Sequence, residues 1–121
     1  YYYPWFKAGA NGSPECDKSR IYDFAGTSIE HVYPRNANPN RNVYDVSLEP
    51  LKNSLGNLTI LDPAQNNTGD NDPFAVKKPI YEASSIALTR EEVAKKPSWG
   101  TQQINEHQNL IIDIAMRVFY P

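Results

Sequence analysis

Residues 28–34 read Ser28-Ile29-Glu30-His31-Val32-Tyr33-Pro34. β-Branched and aromatic residues followed by a proline predict a short strand that ends near Pro34. At its centre a carboxylate directly precedes an imidazole. A glutamate supplies a hard oxygen ligand suited to Mg²⁺ or Mn²⁺. An imidazole, with an unperturbed pKa near ~6.5, can act as a neutral base at physiological pH. A metal ligand beside a general base is what metal-assisted phosphodiester hydrolysis needs: the ion neutralises charge on the phosphate while the base activates water. Taken alone, the pair is also what any strand with two polar residues shows.

The second informative stretch is Leu55-Gly56-Asn57-Leu58-Thr59-Ile60-Leu61, an apolar strand with an asparagine inside it. Asn57, Thr59 and Leu61 share one face, and Leu58 and Ile60 the other. Asn66 follows, and then a helix is expected from Asp72-Pro73-Phe74, with Asp72 as cap and Pro73 at its first position, running to Ser84 or Ser85. Pro79 lies inside that segment and removes one hydrogen bond from it. Lys77-Lys78, Tyr81, Ser84, Trp99 and Ile104 come later in the same order. This ordered set resembles the C-terminal HNH domain of GmrSD-type modification-dependent restriction endonucleases over roughly residues 27–120.

The resemblance implies an α+β fold with a ββα-metal (HNH, His-Me finger) core, a two-stranded sheet plus a helix, with further helices C-terminal to it. It implies divalent-metal-dependent nicking or cleavage of DNA. His31 would be the base, and Asn57 would hydrogen-bond near it to orient its ring. Glu30, where many relatives carry aspartate, would bind one Mg²⁺ or Mn²⁺ ion, with Asn66 as second ligand and Asn67 as its rival. Lys77 or Lys78 would contact phosphate. The implied parent is a cytoplasmic phage-restriction protein whose N-terminal NTP-binding sensor domain is absent from this chain. Strand geometry sets a condition: neighbours on a flat strand face opposite sides, so Glu30 and His31 reach one phosphate only if the strand twists or ends near His31. The alternatives are a catalytically inactive interaction domain of the same fold and a secreted nuclease.

Length and composition fit this picture. The 121 residues make one domain, and a net charge of −2 argues against a stand-alone nucleic-acid binder without arguing against a catalytic module served by a partner. Cys16 is the single cysteine, so an intrachain disulfide and a thiolate zinc site are both excluded and no zinc is expected. That cysteine use points to a reducing compartment. No apolar run is long enough to span a membrane. A start at Tyr1-Tyr2-Tyr3-Pro4-Trp5, without methionine, suggests a fragment of a longer protein.

Residues 1–26 carry too many aromatics to stay exposed and are expected to pack on the domain, which then spans residues 27–121, with the core in 27–85 and C-terminal helices in 86–121. Ile21-Tyr22-Asp23-Phe24 is expected as a strand or a helical turn. Ser47 is expected to cap a short helix limited by Pro50. Arg35, Arg41 and Lys52 are candidate phosphate contacts or solvated surface charge. Thr89 and Glu92 have capping-box spacing, which predicts a helix start there and an end at Pro97. The last helix is expected over residues 101–119, with an apolar stripe of Ile104, Ile111, Ile114, Ala115 and Val118. His107 falls on or beside that stripe and reads as structural; the related domains often carry arginine there.

Overall fold

A computed structural model describes residues 2–14, 27–38, 40, 43–62 and 72–120. The expected element at residues 21–24 lies outside them. The fold is α+β. Among the described residues the strands are β1 (Ser28–His31) and β2 (Leu58–Leu61), and the α-helices are α1 (Tyr3–Lys7), α2 (Phe74–Glu82) and α3 (Thr101–Phe119). The strands pair antiparallel, with Glu30 opposite Thr59 and His31 opposite Leu58. No helix of the described residues is long and apolar enough to cross a membrane.

β1 is short because its ladder stops at His31, before Pro34 could interrupt it. β2 begins later than the apolar pattern suggests. Residues Leu55–Asn57 form a 3₁₀ turn, and Gly56 within it is pressed against α3. A Cβ at Gly56 would stand 2.0 Å from the Ile104 carbonyl oxygen and 2.9 Å from Gln108 Cβ. The missing side chain therefore sets how closely α3 approaches the sheet. Before this turn, Asp45 rather than Ser47 organises the connection. Its carboxylate accepts from the Ser47 amide at 2.9 Å and hydroxyl at 2.6 Å, and only a 3₁₀ turn at Glu49–Leu51 follows.

α2 differs from expectation at its start. Pro73 is extended (φ −68°, ψ 160°) and precedes the helix, and Asp72 makes no capping bond. Pro79 sits in the last turn, where one lost bond is tolerable, and the Ala83 amide still donates to the Pro79 carbonyl at 3.2 Å. The capping-box reading of Thr89 is also overturned. Thr89 lies inside a π-helical turn, Leu88–Val93, in which the Ala94 amide reaches back to the Thr89 carbonyl at 3.0 Å. Its buried hydroxyl donates to the Ile60 carbonyl at 2.8 Å and meets Thr59 Oγ1 at 2.6 Å, so it ties this turn to β2 instead of starting a helix. Glu92 accepts from the Tyr3 hydroxyl at 2.5 Å, joining α1 to the same turn.

Two apolar clusters make the core. Val32, Leu61, Tyr81, Val93 and Ala94 form one, and Tyr33, Leu48 and Ile104 the other; Trp99 packs against both. α3 has the expected bounds, yet only Ile104 and His107 on it are buried. The rest of the stripe is half-buried, and Ile112, Met116 and Phe119 are exposed. The His107 ring stands edge-on to Trp99, and its Nε2–H donates to the Leu58 carbonyl at 3.2 Å. Nδ1 is buried with no hydrogen-bond partner. Burial pushes the His107 pKa below its ordinary value; the Leu58 carbonyl opposes this shift, and Lys96 and Glu92 act in opposite senses.

Two predictions follow from this packing. Gly56→Ala should destabilise the fold by about 3 kcal/mol or more, since both close contacts are part of α3. Gly100→Ala, whose Cβ would meet only Gln103 Oε1 at 3.4 Å, should cost within about 1 kcal/mol. Urea titration of the two variants checks this, and equal midpoints would refute the close-approach account. His107 is neutral when folded and takes a proton more readily when unfolded. Its contribution is therefore complete above its ordinary pKa and is lost as pH falls below about 6.5. Melting curves from pH 7.5 to 5 should show a steeper acid loss for wild type than for His107→Leu; parallel losses would show that His107 is not the group involved.

Candidate active site

Glu30 and Lys77 meet where β1 lies under α2. Glu30 is buried, and its Oε2 accepts from the Tyr81 hydroxyl at 2.9 Å and lies 3.3 Å from Lys77 Nζ. Lys77 and Tyr81 are four residues apart, on one face of α2. The Lys77 ammonium also donates to the carbonyls of His31 at 2.9 Å and Val32 at 3.4 Å. Three successive residues of the motif thus converge on one buried cation. Burial, and then the charge of Glu30, push the Tyr81 pKa far up, so its hydroxyl remains a donor. Where the sequence points Lys77 at a phosphate, its side chain is fully buried in the structure. Lys78, half-buried, donates from Nζ to the Lys96 carbonyl at 3.0 Å.

His31 points the other way, as alternation along a strand requires. It is half-buried, and its Nε2 lies 3.0 Å from Asn53 Oδ1. An amide oxygen only accepts, so Nε2 carries the proton. In the neutral ring Nδ1 then holds the free lone pair, and it has no hydrogen-bond partner among the described residues. Asn53 is an exposed residue of the loop before β2. No sequence signal separates it from the other asparagines of that connection.

The expected contact between Asn57 and the His31 ring is not made. Asn57 is fully buried, and its Oδ1 accepts from the Tyr33 amide at 2.8 Å and the Trp99 indole at 2.9 Å. Its Nδ2 donates to the carbonyls of Tyr33 at 2.9 Å and Lys52 at 2.8 Å. All four hydrogen-bonding positions of the amide are filled. The Val32 amide also donates to the Asn57 carbonyl at 3.0 Å. Asn57 therefore shapes the main chain just after His31, while Asn53 meets the ring.

Asn66 and Asn67, the expected second metal ligand and its rival, lie outside the described residues. Among the described residues no cluster of three or more His, Cys, Asp or Glu side chains could hold an ion. Glu30 has the donor chemistry for a hard divalent cation. Because Lys77 shares its Oε2, an ion there would depend on further oxygen ligands from water or from residues beyond those described.

Removing the Lys77 cation tests how tightly this arrangement is held. Lys77→Met leaves a buried carboxylate without its counter-charge and should cost about 3–5 kcal/mol. Adding Glu30→Gln, which keeps an acceptor for Tyr81, should recover part of that loss. A double-mutant cycle by urea titration measures the coupling; a coupling near zero would mean the pair is not held as a unit.

The family model that describes the C-terminal domain of GmrSD restriction endonucleases matches residues 6–114. No curated protein matches the chain. The match covers the end of α1, both strands, α2 and most of α3, so the chain belongs to the family of GmrSD restriction endonuclease C-terminal domains.

Proposed function

We propose that this chain is a divalent-metal-dependent HNH endonuclease domain that nicks or cleaves DNA. The observation that carries this reading is the half-exposed imidazole of His31 at the end of β1, with Nε2 held by Asn53 and Nδ1 left open. The order of β1, β2 and α2 supports a ββα-metal core built from residues 27–85, with residues 86–121 as its helical cover. Family membership supports DNA as substrate and restriction as the setting; in this reading an N-terminal NTP-binding sensor domain and phage DNA complete it.

In this mechanism Nδ1 of His31 takes a proton from the attacking water, and Asn53 keeps the ring in the tautomer that can do so. Asn57 and Lys77 hold the main chain of residues 31–33 from two sides, which fixes where the ring leaves the strand. Glu30, with Asn66 as second oxygen ligand, would hold Mg²⁺ or Mn²⁺, which when bound supplies Lewis-acid stabilisation of the phosphate and leaving oxygen. Because Glu30 and His31 leave β1 on opposite faces, both act on one phosphate only around the end of the strand at His31. The burial of Glu30 against Lys77 and Tyr81 favours a second reading, an inactive interaction domain of the same fold.

Plasmid nicking with Mg²⁺, Mn²⁺ or EDTA separates the two. The nuclease reading expects metal-dependent nicking that is slow at physiological salt, because a net charge of −2 gives little electrostatic capture of DNA. His31→Ala should lower the rate by ~10²–10⁴-fold with an unchanged melting temperature. Asn53→Ala should lower it by ~10–100-fold through lost ring orientation. Asn66→Ala should be partly rescued by raised Mn²⁺. Full activity in EDTA would remove the metal mechanism, and wild-type nicking by His31→Ala would remove His31 as the base.

A further inference from the structure

A pocket of about 210 Å³ opens beside the residues that follow His31. Tyr33, Val43, Tyr44, Asp45, Phe74 and Trp99 are among its lining residues. Phe74 and Trp99 are stacked, with ring centroids 5.7 Å apart and planes 26° from parallel. Tyr44 is 43% exposed, and its hydroxyl has no hydrogen-bond partner among the described residues. Asp45 Oδ1 accepts from Ser47, and the Leu48 amide also favours the charged carboxylate. The bonds from Ser47 hold the Asp45 carboxyl below its ordinary pKa, so it is a charged, acceptor-only group. This pocket contains none of the residues assigned to phosphodiester hydrolysis.

We infer that this pocket receives one unstacked nucleobase bearing an exocyclic amino group, from the DNA strand presented to His31. The inference rests on the nuclease reading and names how that site would take its substrate. The pocket is smaller than the ~300–1,000 Å³ of drug-sized ligand sites, which limits the occupant to about one ring system. Flat aromatic walls suit a base face, as in proteins that take up single-stranded or extruded nucleotides. An apolar peptide side chain would make no use of the Asp45 carboxylate, whereas an amino group of a base donates to it. Arg35, just beyond Pro34, is exposed and without a side-chain partner among the described residues, a cation near the place where the flanking phosphate would lie. The pocket is also joined to the candidate base. One oxygen, Asn57 Oδ1, accepts from both Trp99 in the wall and the Tyr33 amide two residues after His31.

The test is binding in EDTA, so that cleavage plays no part. Dye-labelled pentanucleotides with dC, dA, dT or an abasic residue at the centre are titrated at low salt and followed by fluorescence anisotropy. The expected result is that central dC or dA binds ~10-fold tighter than the abasic oligonucleotide, with dT between them. Tyr44→Ala should bring the dC-to-abasic ratio close to one. Asp45→Asn keeps an acceptor for Ser47 but presents a donor in place of Oδ2, and should abolish the preference for dC over dT. Melting temperatures control for folding of both variants. Equal binding of abasic and base-containing strands, or a ratio unchanged in Tyr44→Ala, would overturn the inference. Base preference without nicking in Mg²⁺ would instead remove the nuclease reading and leave the pocket as a base-binding site.

Discussion

A lysine ammonium taken out of water must find acceptors from the protein, and that requirement orders this domain. Lys77 is fully buried, and its described partners are the Glu30 carboxylate and the carbonyls of His31 and Val32. An unmatched charge in such a place would cost several kcal/mol, so the arrangement tolerates little slippage of α2 over β1. Register follows from it. Moving β1 by one residue would turn Glu30 out of the interior and carry His31 in. The cation therefore specifies which of two adjacent polar residues faces the helix and which faces the surface.

The same economy governs the other side of the motif. Asn57 has no ionisable group, yet it connects the loop before β2, the chain after β1 and the approach to α3 through Lys52, Tyr33 and Trp99. Trp99 in turn contributes to both core clusters and to the wall of the aromatic pocket. The imidazole of His31 is thus flanked by two rigid backbone clamps while its own ring is held by one loop residue. In the nuclease reading this division separates structural precision from the chemistry, which needs the open nitrogen.

How much of this was legible in the sequence depended on the range of the interaction. α3 is readable in its bounds because its apolar period persists over five turns. Pro34 marks the neighbourhood of the β1 stop, a local constraint, although the ladder ends before it, at His31. The start of α2 was misread because Asp72-Pro73 is a good capping pair by composition, while the real helix begins one residue after Pro73. Thr89 was misread for a similar reason: its spacing to Glu92 satisfies a local rule, but its hydroxyl is engaged by Ile60 and Thr59, almost 30 residues away in the chain. The inward direction of Lys77 and the contact between Asn53 and His31 join residues 46 and 22 positions apart, and no spacing rule reports them. The family pattern assigns Asn57 to orienting the His31 ring, whereas its partners are main-chain atoms and Trp99.

The uneven cover of α3 has a dynamic consequence. Its first two turns are wedged between Gly56, Trp99 and the start of β2 at Leu58, whereas Ile112, Met116 and Phe119 remain 44%, 51% and 70% exposed. A helix anchored at one end does not open as a unit. Amide hydrogens near Ile104 and His107 can exchange with solvent only when the domain itself opens, while those beyond Ile112 exchange through fraying that leaves the sheet undisturbed. The helix thus spans a gradient of protection along its own length, falling from Ile104 toward Phe119.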